Sequence, residues 1–266
     1  MRIQKAFTDA TVGTPALAVI GTWDPLIPAH RELFQEIARR GAEAELTPVV
    51  IILFPSPTRL LNPAPSICLE YTDIRARVVL IRECADVKVL IIRLTKSDLD
   101  ASCRSFFHII GSYLRLRELW LGADQSLGRG QQGSDAAIAA LARSRKISLR
   151  RMPVIDGSRV GGMALRLLGE GKVREATQYV GHGPIWGRPK SGALKLNWPP
   201  GKYLAVSIAK PAFTPVATSG LISVRISPPV KGRQPTLEWP RRDMEWLSFL
   251  ASAADIPKHP VNPCGE

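Results

Sequence analysis

The feature that most constrains the fold is a series of short, wholly apolar segments that alternate with amphipathic ones. Between residues 17 and 152, apolar runs such as PVVIILF (48–54) and VKVLIIRL (87–94) are separated by stretches whose apolar residues recur at helical spacing. Apolar runs without polar alternation are typical of strands buried on both faces of a parallel sheet. The pattern therefore predicts an α/β protein with a doubly wound parallel sheet, covered by helices on both faces.

The boundaries of the elements follow from the same patterns. Strands are predicted at 17–20, 48–54, 87–94, 118–121 and 149–154, and helices at 29–40, 73–82, 97–114 and 135–143, with another beginning near 163. Gly41 stands where a helix C-cap glycine belongs, and Ser134 stands at an N-cap. Ligands of doubly wound folds bind beyond the carboxyl ends of the strands. Two unusual loops begin at such ends, GTWDPLIPAH after the first strand and GADQSLGRG after the fourth.

The composition changes after residue 187. Short alternating segments at 203–208 and 221–226 are separated by stretches rich in Pro and Gly, which is typical of a small β domain. A last helix is expected near 241–253. The sequence thus predicts two domains, an α/β domain at 1–186 and a smaller β domain at 187–266.

Net charge limits the partners without naming one. The 266 residues carry a formal net charge of +13, which favours anionic partners such as nucleotides or nucleic acid. The densest basic segment, RSRKISLRR at 143–151, has no interleaved aromatic residue that could stack on bases. Nucleic acid is therefore the less favoured of these partners.

Metal binding and membrane insertion are not indicated. The four cysteines and four histidines are scattered without zinc-binding spacing, so no metal site is predicted. The longest apolar run is far shorter than the ~20 residues of a membrane span, and the N-terminal segment lacks the apolar region of a secretory signal. We therefore expect a cytoplasmic protein, and the sequence does not indicate its oligomeric state.

Four short motifs occur in order along the chain. Residues 21–30 align without a gap with G-[NT]-F-D-G-V-H-x-G-H, keeping Gly21, Thr22, Asp24 and His30, and 53–57 correspond to the strand end F-E-P-H-P. Residues 122–133 align without a gap with the loop G-x-D-F-x-F-G-x-G-x-x-G, and GKVREATQYVGHGPIWG at 171–187 resembles a helix-and-glycine segment. In this order the motifs resemble bacterial FAD synthetases, the bifunctional riboflavin kinase and FMN adenylyltransferase family. The resemblance implies the nucleotidyltransferase form of the Rossmann-like fold.

The resemblance implies an adenylyltransferase that joins FMN to ATP with Mg²⁺, forming FAD and pyrophosphate. No covalent enzyme intermediate is needed, so the protein positions the substrates and stabilises their charge. His30 is implied as the catalytic residue. The implied nucleotide-binding residues, which include it, are Gly21, Thr22, Asp24, Ala29, His30 and Arg166. The implied lining of a flavin or adenine pocket is Pro55, Gly122, Asp124, Gly128 and Arg129.

Several phosphate ligands of that family are replaced here. Ile27 stands in place of the first histidine of H-x-G-H, and Ala29 in place of its glycine. The segment I-S-S-T-x-x-R aligns with 160–166, where Arg166 alone is kept. Losing one donor to transition-state charge costs ~3 kcal/mol of barrier lowering. The kinase motif G-x-P-T-x-N is missing from 187–206, so 187–266 resembles a shortened flavokinase module whose kinase activity is expected to be lost.

Three functions remain open from the sequence. The chain is an adenylyltransferase of weakened or altered activity, a non-catalytic relative that binds adenine nucleotide or flavin as a sensor or partner protein, or a basic module that holds nucleic acid. Trp23 is expected to pack in the core, and His108 and His182 to be structural. The first function requires the imidazole of His30 to face a ligand, with a cleft beside Asp124. An imidazole packed in hydrocarbon would count against it.

Overall fold

The structure, a computed structural model, describes residues 1–4, 12–61, 70–123, 125–128, 134–153, 157–188, 193–195, 198–212, 217, 222–228, 236–240 and 244–252. By its contacts the chain forms two compact units, the first of Met1–Pro63 and Arg77–Gly157, the second of Ala64–Ala76 and Ser158–Glu266. The contacts thus divide the chain near residue 157, whereas the sequence-based division lies at 187. The assignment of 187–266 as a shortened flavokinase-like module stays a prediction.

A six-stranded sheet forms the centre of the first unit. Its strands are β1 (Arg2–Ile3), β2 (Pro15–Gly21), β3 (Thr47–Phe54), β4 (Lys88–Arg93), β5 (Arg115–Gly122) and β6 (Ser148–Met152). They lie in the order β1-β4-β3-β2-β5-β6, with β1 antiparallel to β4 and all other pairs parallel. The predicted doubly wound α/β class is confirmed. The short antiparallel strand β1 was not predicted.

The middle parts of β3 and β4 are apolar because both faces of these strands are covered. Every residue of β3 from Val49 to Ile52 is fully buried, as is every residue of β4 from Val89 to Ile92. The helices are α1 (Pro28–Glu43), α2 (Pro57–Leu61), α3 (Ile74–Cys84), α4 (Cys103–Gly111), α5 (Asp135–Ser144), α6 (Gly157–Gly169) and α7 (Val173–Val180). Within the described residues, no helix combines the length and apolar character needed to cross a membrane.

Two expectations about helix boundaries in the first unit are wrong. The helix predicted at 97–114 is two elements, a 3₁₀ helix at Lys96–Asp100 and then α4, whose N-cap Ser102 accepts a hydrogen bond from the Ser105 N–H at 3.2 Å. Gly41 is not a C-cap but lies inside α1, which continues to Glu43. A Cβ on Gly41 would lie 2.8 Å from the carbonyl oxygen of Leu46, so this glycine lets the following loop pack against the helix.

The second unit contains a six-stranded antiparallel sheet. Its strands are β7 (Ile185–Gly187), β8 (Ala193–Lys195), β9 (Gly201–Ile208), β10 (Ile222–Ser227), β11 (Thr236–Glu238) and β12 (Trp246–Ser252), in the order β7-β12-β9-β10-β11-β8. The predicted β-rich C-terminal region is confirmed. The helix predicted at 241–253 is wrong, because Trp246–Ser252 forms a strand between β7 and β9. A short apolar run such as WLSFLAS fits a buried strand as well as a helix, and periodicity alone does not separate the two.

Candidate functional site

The candidate site lies in the first unit, where the strand order reverses. The chain continues from β2 to β3 on one side and from β5 to β6 on the other, so β2 and β5 flank the switch point of the sheet. Gly21 ends β2 and Gly122 ends β5. Ligands of open α/β sheets bind at this position. The two loops singled out from the sequence therefore start from adjacent strands, at the edge where a nucleotide would bind.

The turn after β2 is built around Trp23, which packs into the core as expected. Its Nε1–H donates to the carbonyl of Ile51 at 2.9 Å, and its backbone has a φ of 53°, a left-handed conformation that is uncommon for a tryptophan. A Cβ on Gly21 would lie 2.7 Å from Trp23 Cε2. Gly21 therefore leaves room for the indole ring, and its nucleotide-binding role stays a prediction.

A buried ion pair fixes the next residue of the turn. Asp24 Oδ2 lies 3.1 Å from Arg77 Nη2, with the two side chains 5% and 1% exposed. Arg77, on α3, also donates from Nη1 to the carbonyl of Thr22 at 2.9 Å. Two charges removed from water persist only when they are paired and hydrogen-bonded. The carboxylate of Asp24 is thus held by the core.

Arg77 was missed by the sequence analysis, although the sequence carried a signal for it. In the predicted helix 73–82, Ile74, Val78 and Ile81 recur at helical spacing, and Arg77 falls on the same face. A charged residue among apolar positions on a buried face requires a partner of opposite charge. Asp24 is that partner, 53 residues earlier in the chain.

His30 lies in the first turn of α1 and is only 8% exposed. Its ring contacts the rings of Trp23 and Phe34, with centroid distances of 5.3 and 6.5 Å. Its Nδ1 accepts a hydrogen bond from the backbone N–H of Ile27 at 3.2 Å. Burial lowers the pKa of His30 from 6.5 to about 4. The imidazole is therefore neutral at pH 7, with its proton on Nε2 because Nδ1 is an acceptor.

This packing bears directly on the predicted role of His30. Most of the ring lies among other side chains, which is the arrangement that would count against a ligand-facing imidazole. Nε2 forms no hydrogen bond with the described residues. It is also not one of the fully buried side-chain atoms without a partner, which are Arg77 Nε, Thr177 Oγ1 and Trp186 Nε1. It therefore keeps a small exposed surface. His30 as the catalytic residue stays a prediction that depends on this one atom.

The N-terminus of α1 offers fewer backbone donors than most helices do. Pro28 has no N–H, the N–H of His30 donates to the carbonyl of Ile27 at 2.9 Å, and the N–H of Ile27 is used by His30 Nδ1. Helix N-termini bind phosphate through free N–H groups. Among residues 27–30, only the half-buried Ala29 has an N–H that no described residue engages.

The loop after β5 is fixed by Arg151 from β6. Its Nη1 donates to the carbonyls of Gly122 at 2.9 Å and Gln125 at 2.7 Å, and its Nη2 pairs with Asp135 at the start of α5. The side chain of Gln125 returns to accept a hydrogen bond from the N–H of Gly122 at 3.3 Å. The backbone of this loop is thus tied to the next strand and to the next helix.

Gly128 closes the same loop against α4. Its φ is 98°, and a Cβ there would lie 2.5 Å from the backbone nitrogen of Cys103. This glycine therefore permits a close approach of two backbones, and its neighbour Leu127 is buried in the core. Asp124 and Arg129 lie outside the described residues, so the cleft expected beside Asp124 does too.

Two further candidates, Pro55 and Arg166, stay predictions. Pro55 follows β3 and is half-buried. Arg166 lies on α6 in the second unit, 65% exposed, with its Nε 3.8 Å from Glu170 Oε1 and its Nη2 3.2 Å from Met163 Sδ. Among the residues that the structure describes, no group of three or more His, Cys, Asp or Glu side chains is arranged to hold a metal ion.

Two further histidines and two of the four cysteines lie within the described residues. His182 is buried in the second unit, with Nδ1 2.8 Å from the carbonyl oxygen of Gly183, which fits the structural role expected for it. His108 lies exposed on α4. Cys84 and Cys103 are buried free thiols, and burial raises the pKa of Cys84 to about 12. Cys68 and Cys264 fall outside the described residues.

A doubly wound sheet with a strand-to-helix turn at its switch point is consistent with a nucleotidyltransferase-like α/β domain. The family model for FAD synthetase matches residues 10–160 of the 266, and the chain belongs to the FAD synthetase family. The match covers both the turn with His30 and the loop after β5. Family membership supports a flavin nucleotide adenylyltransferase type of function, with ATP and FMN as the substrates of the family.

The fold is also similar to a solved structure. The crystal structure of a macrolide-efflux protein from Streptococcus pneumoniae matches with a TM-score of 0.61 over 97% of this chain and 91% of that chain, at 17% sequence identity. At this identity the likeness shows the fold alone. No curated protein matches the sequence.

Proposed function

We propose that the chain is an FMN adenylyltransferase that has lost riboflavin kinase activity. A phosphate oxygen of FMN attacks the α-phosphorus of ATP, the bond from that phosphorus to the oxygen bridging to the β-phosphate breaks, and pyrophosphate leaves as FAD forms. The observation that carries the proposal is the family match over residues 10–160, which contain both loops at the switch point. The net charge of +13 also favours anionic substrates.

His30 would act as a neutral hydrogen-bond donor. Because Nδ1 is held by the N–H of Ile27 and the pKa is lowered to about 4, Nε2 keeps its proton throughout the neutral range. A fixed donor of this kind stabilises charge on a phosphate oxygen without having to reorient. Mg²⁺ would enter with the phosphates of ATP, since enzymes usually bind it through substrate phosphates and one or two carboxylates.

A second candidate function is that of a non-catalytic relative that binds adenine nucleotide or flavin as a sensor or partner protein. Three observations favour it. The carboxylate of Asp24 is paired with Arg77, and the N–H groups of Ile27 and His30 are used within the turn itself. Ile27 and Ala29 also replace ligands of the family motif. Such a chain would keep the fold and bind nucleotide without turning it over.

The two candidates are separated by incubating the protein with FMN, ATP and Mg²⁺ and measuring FAD and pyrophosphate together. Adenylyl transfer yields the two products in equal amounts. His30→Gln should abolish both, whereas Arg117→Gln, at an exposed position on β5, should leave the rate unchanged. Binding of ATP or FMN without product supports the second candidate, and neither binding nor product contradicts both.

Further parts of the proposal have tests of their own. With riboflavin and ATP in place of FMN, we expect no FMN to form if 187–266 is a degenerate flavokinase module. We propose small nucleotides and flavins as the partners and the cytoplasm as the location. Nucleic acid is the less favoured partner, and binding to a short DNA duplex that falls steeply with salt would support it instead.

A further inference from the structure

A cavity of about 510 Å³ opens on the outer side of α4 in the first unit. It is lined mainly by Asp98, Arg104, Ser105, His108, Ile109 and Arg145, and it shares no residue with the turn that carries His30. Cavities of 300–1,000 Å³ are the size that holds small-molecule ligands. The adenylyltransferase proposal makes no use of this cavity.

Four of the lining side chains share one face of α4, and a fifth comes from the end of α5. Arg104 and His108 are four residues apart on α4, as are Ser105 and Ile109, so both pairs lie on neighbouring rows of one helix face. Arg145 approaches from the end of α5. A Cβ on Gly111 would lie 3.6 Å from Arg145 Nη1, so the guanidinium group lies against the last turn of α4.

The two arginines that line the cavity are unpaired within the part of the chain that the structure describes. Among the described residues, no carboxylate forms an ion pair with Arg104 or Arg145. Asp98, the one carboxylate in the wall, accepts hydrogen bonds from the N–H of Thr95 at 2.8 Å and its hydroxyl at 2.6 Å, and also pairs with the amino group of Met1. Two guanidinium groups are therefore left to attract an anion.

We propose that this cavity is a second ligand site, which binds a small phosphomonoester with an apolar body. The planar guanidinium fork pairs with phosphate through two parallel hydrogen bonds, and two such groups match a dianion. The His108 imidazole adds a donor on the same face, next to the Ser105 hydroxyl, which lies 3.0 Å from the hydroxyl of Ser102. Ile109 and Ala101 supply apolar surface beside them for the rest of the ligand. The proposal is independent of catalysis at the switch point.

Phenyl phosphate is a suitable probe, because it combines a phosphomonoester with an apolar ring and is neither substrate of the proposed reaction. Calorimetric titration of the full chain should show saturable binding of phenyl phosphate, weaker binding of inorganic phosphate, and none of phenol. Arg104→Gln and Arg145→Gln should each weaken the affinity about tenfold. Arg117→Gln, at an exposed arginine of β5 outside the cavity, is the matched control and should leave affinity unchanged.

His30→Gln separates this site from the proposed catalytic one. It should leave phenyl phosphate binding intact, whether or not FAD synthesis is lost. Binding that survives both Arg104→Gln and Arg145→Gln with folded protein, shown by an unchanged melting temperature, would overturn the proposal. So would equal affinity for inorganic phosphate, or binding of a short DNA duplex through these arginines while phenyl phosphate fails to bind.

Discussion

The turn after β2 and the loop after β5 start at neighbouring strand ends but are fixed in different ways. The turn is held from inside the protein, by the indole of Trp23 and by the ion pair of Asp24 with Arg77, whose side chains are at most 5% exposed. The loop is held by Arg151, whose side chain is 24% exposed and pairs with a largely exposed Asp135. The first is thus an extension of the core, whereas the second depends on bonds that water can replace.

The largest effect is expected from breaking the buried pair. Arg77→Ala leaves the carboxylate of Asp24 buried without its guanidinium partner, and removing one member of a buried pair typically costs 3–5 kcal/mol. We expect the free energy of unfolding, measured in urea, to fall by about this amount. Arg77→Lys keeps a positive charge but not the bond geometry. Its free energy of unfolding should therefore lie between those of Arg77→Ala and the parent protein.

Arg39→Ala is the matched control for this experiment. Arg39 also pairs with a carboxylate, Glu36 at 2.7 Å, but its side chain is 59% exposed. Exposed pairs contribute little to stability, so we expect almost no change in the urea midpoint. Equal effects of the two alanine variants would show that the turn after β2 is not held from the core, and the contrast between the two loops would fail.

The second prediction concerns acid and the burial of His30. Unfolded chains take up a proton on this imidazole below about pH 6.5, whereas burial lowers the pKa in the folded state to about 4. The unfolded state therefore binds more protons in this window, and stability falls as the pH drops from 6.5 to 4. A shift of this size corresponds to a total loss of about 3 kcal/mol, with no further loss from this group below pH 4.

His30→Gln tests this prediction, because it removes the titrating ring from the same position. Carboxylates also titrate in acid, so the quantity to follow is the difference in unfolding free energy between parent and variant at each pH. That difference should change between pH 6.5 and 4 and be flat above pH 7. If the difference in unfolding free energy is the same at all pH values, the imidazole is open to water, and so is the turn that carries it.

The sequence was sufficient to locate both loops, because their placement depends on local patterns. Fully apolar runs such as 48–54 mark strands buried on both faces, and alternation with helices implies parallel pairing. How each loop is held depends instead on contacts distant in sequence. The partner of Asp24 is a helix residue 53 positions away, and whether His30 faces a ligand or Phe34 depends on the packing of Trp23.

The errors in the second unit have a related cause. Trp246–Ser252 was read as a helix because seven mostly apolar residues fit either element. The outcome was decided by pairing with β9, whose residues lie about 40 positions earlier. In the first unit, the helix expected at 97–114 is interrupted because Asp98 caps the N–H of Thr95 while Ser102 caps a separate helix. Periodicity does not resolve two N-caps, Thr95 and Ser102, that lie only seven residues apart.

The third prediction tests the close contact of the loop after β5. Gly128→Ala places a Cβ 2.5 Å from the nitrogen of Cys103 and forces alanine to adopt a φ of 98°. Left-handed strain and the clash together should cost about 2–3 kcal/mol of unfolding free energy. Gly162→Ala is the control, since it lies within α6 and its Cβ would meet nothing within 4 Å. There alanine should be neutral or stabilising.

The smallest effect, and the sharpest test of the comparison, is expected from Arg151→Gln. The change removes hydrogen bonds to the carbonyls of Gly122 and Gln125, but water replaces them at this partly exposed position, so the cost should be about 1 kcal/mol. Its effect should be local. Hydrogen exchange measured by mass spectrometry should become faster in peptides that cover residues 122–128 and stay unchanged in those that cover 21–30.

The reverse result would be equally informative. If Arg151→Gln accelerates exchange in both peptides, the two loops open together and the turn after β2 draws its stability from its neighbour rather than from Arg77 and Trp23. Arg150→Gln provides the matched control from the same strand, because Arg150 lies over the ring of Trp120 at 4.3 Å and forms no bond to the loop among the described residues. Arg150→Gln should leave hydrogen exchange in both peptides unchanged. A faster exchange seen only with Arg151→Gln would then be due to the contacts of Arg151.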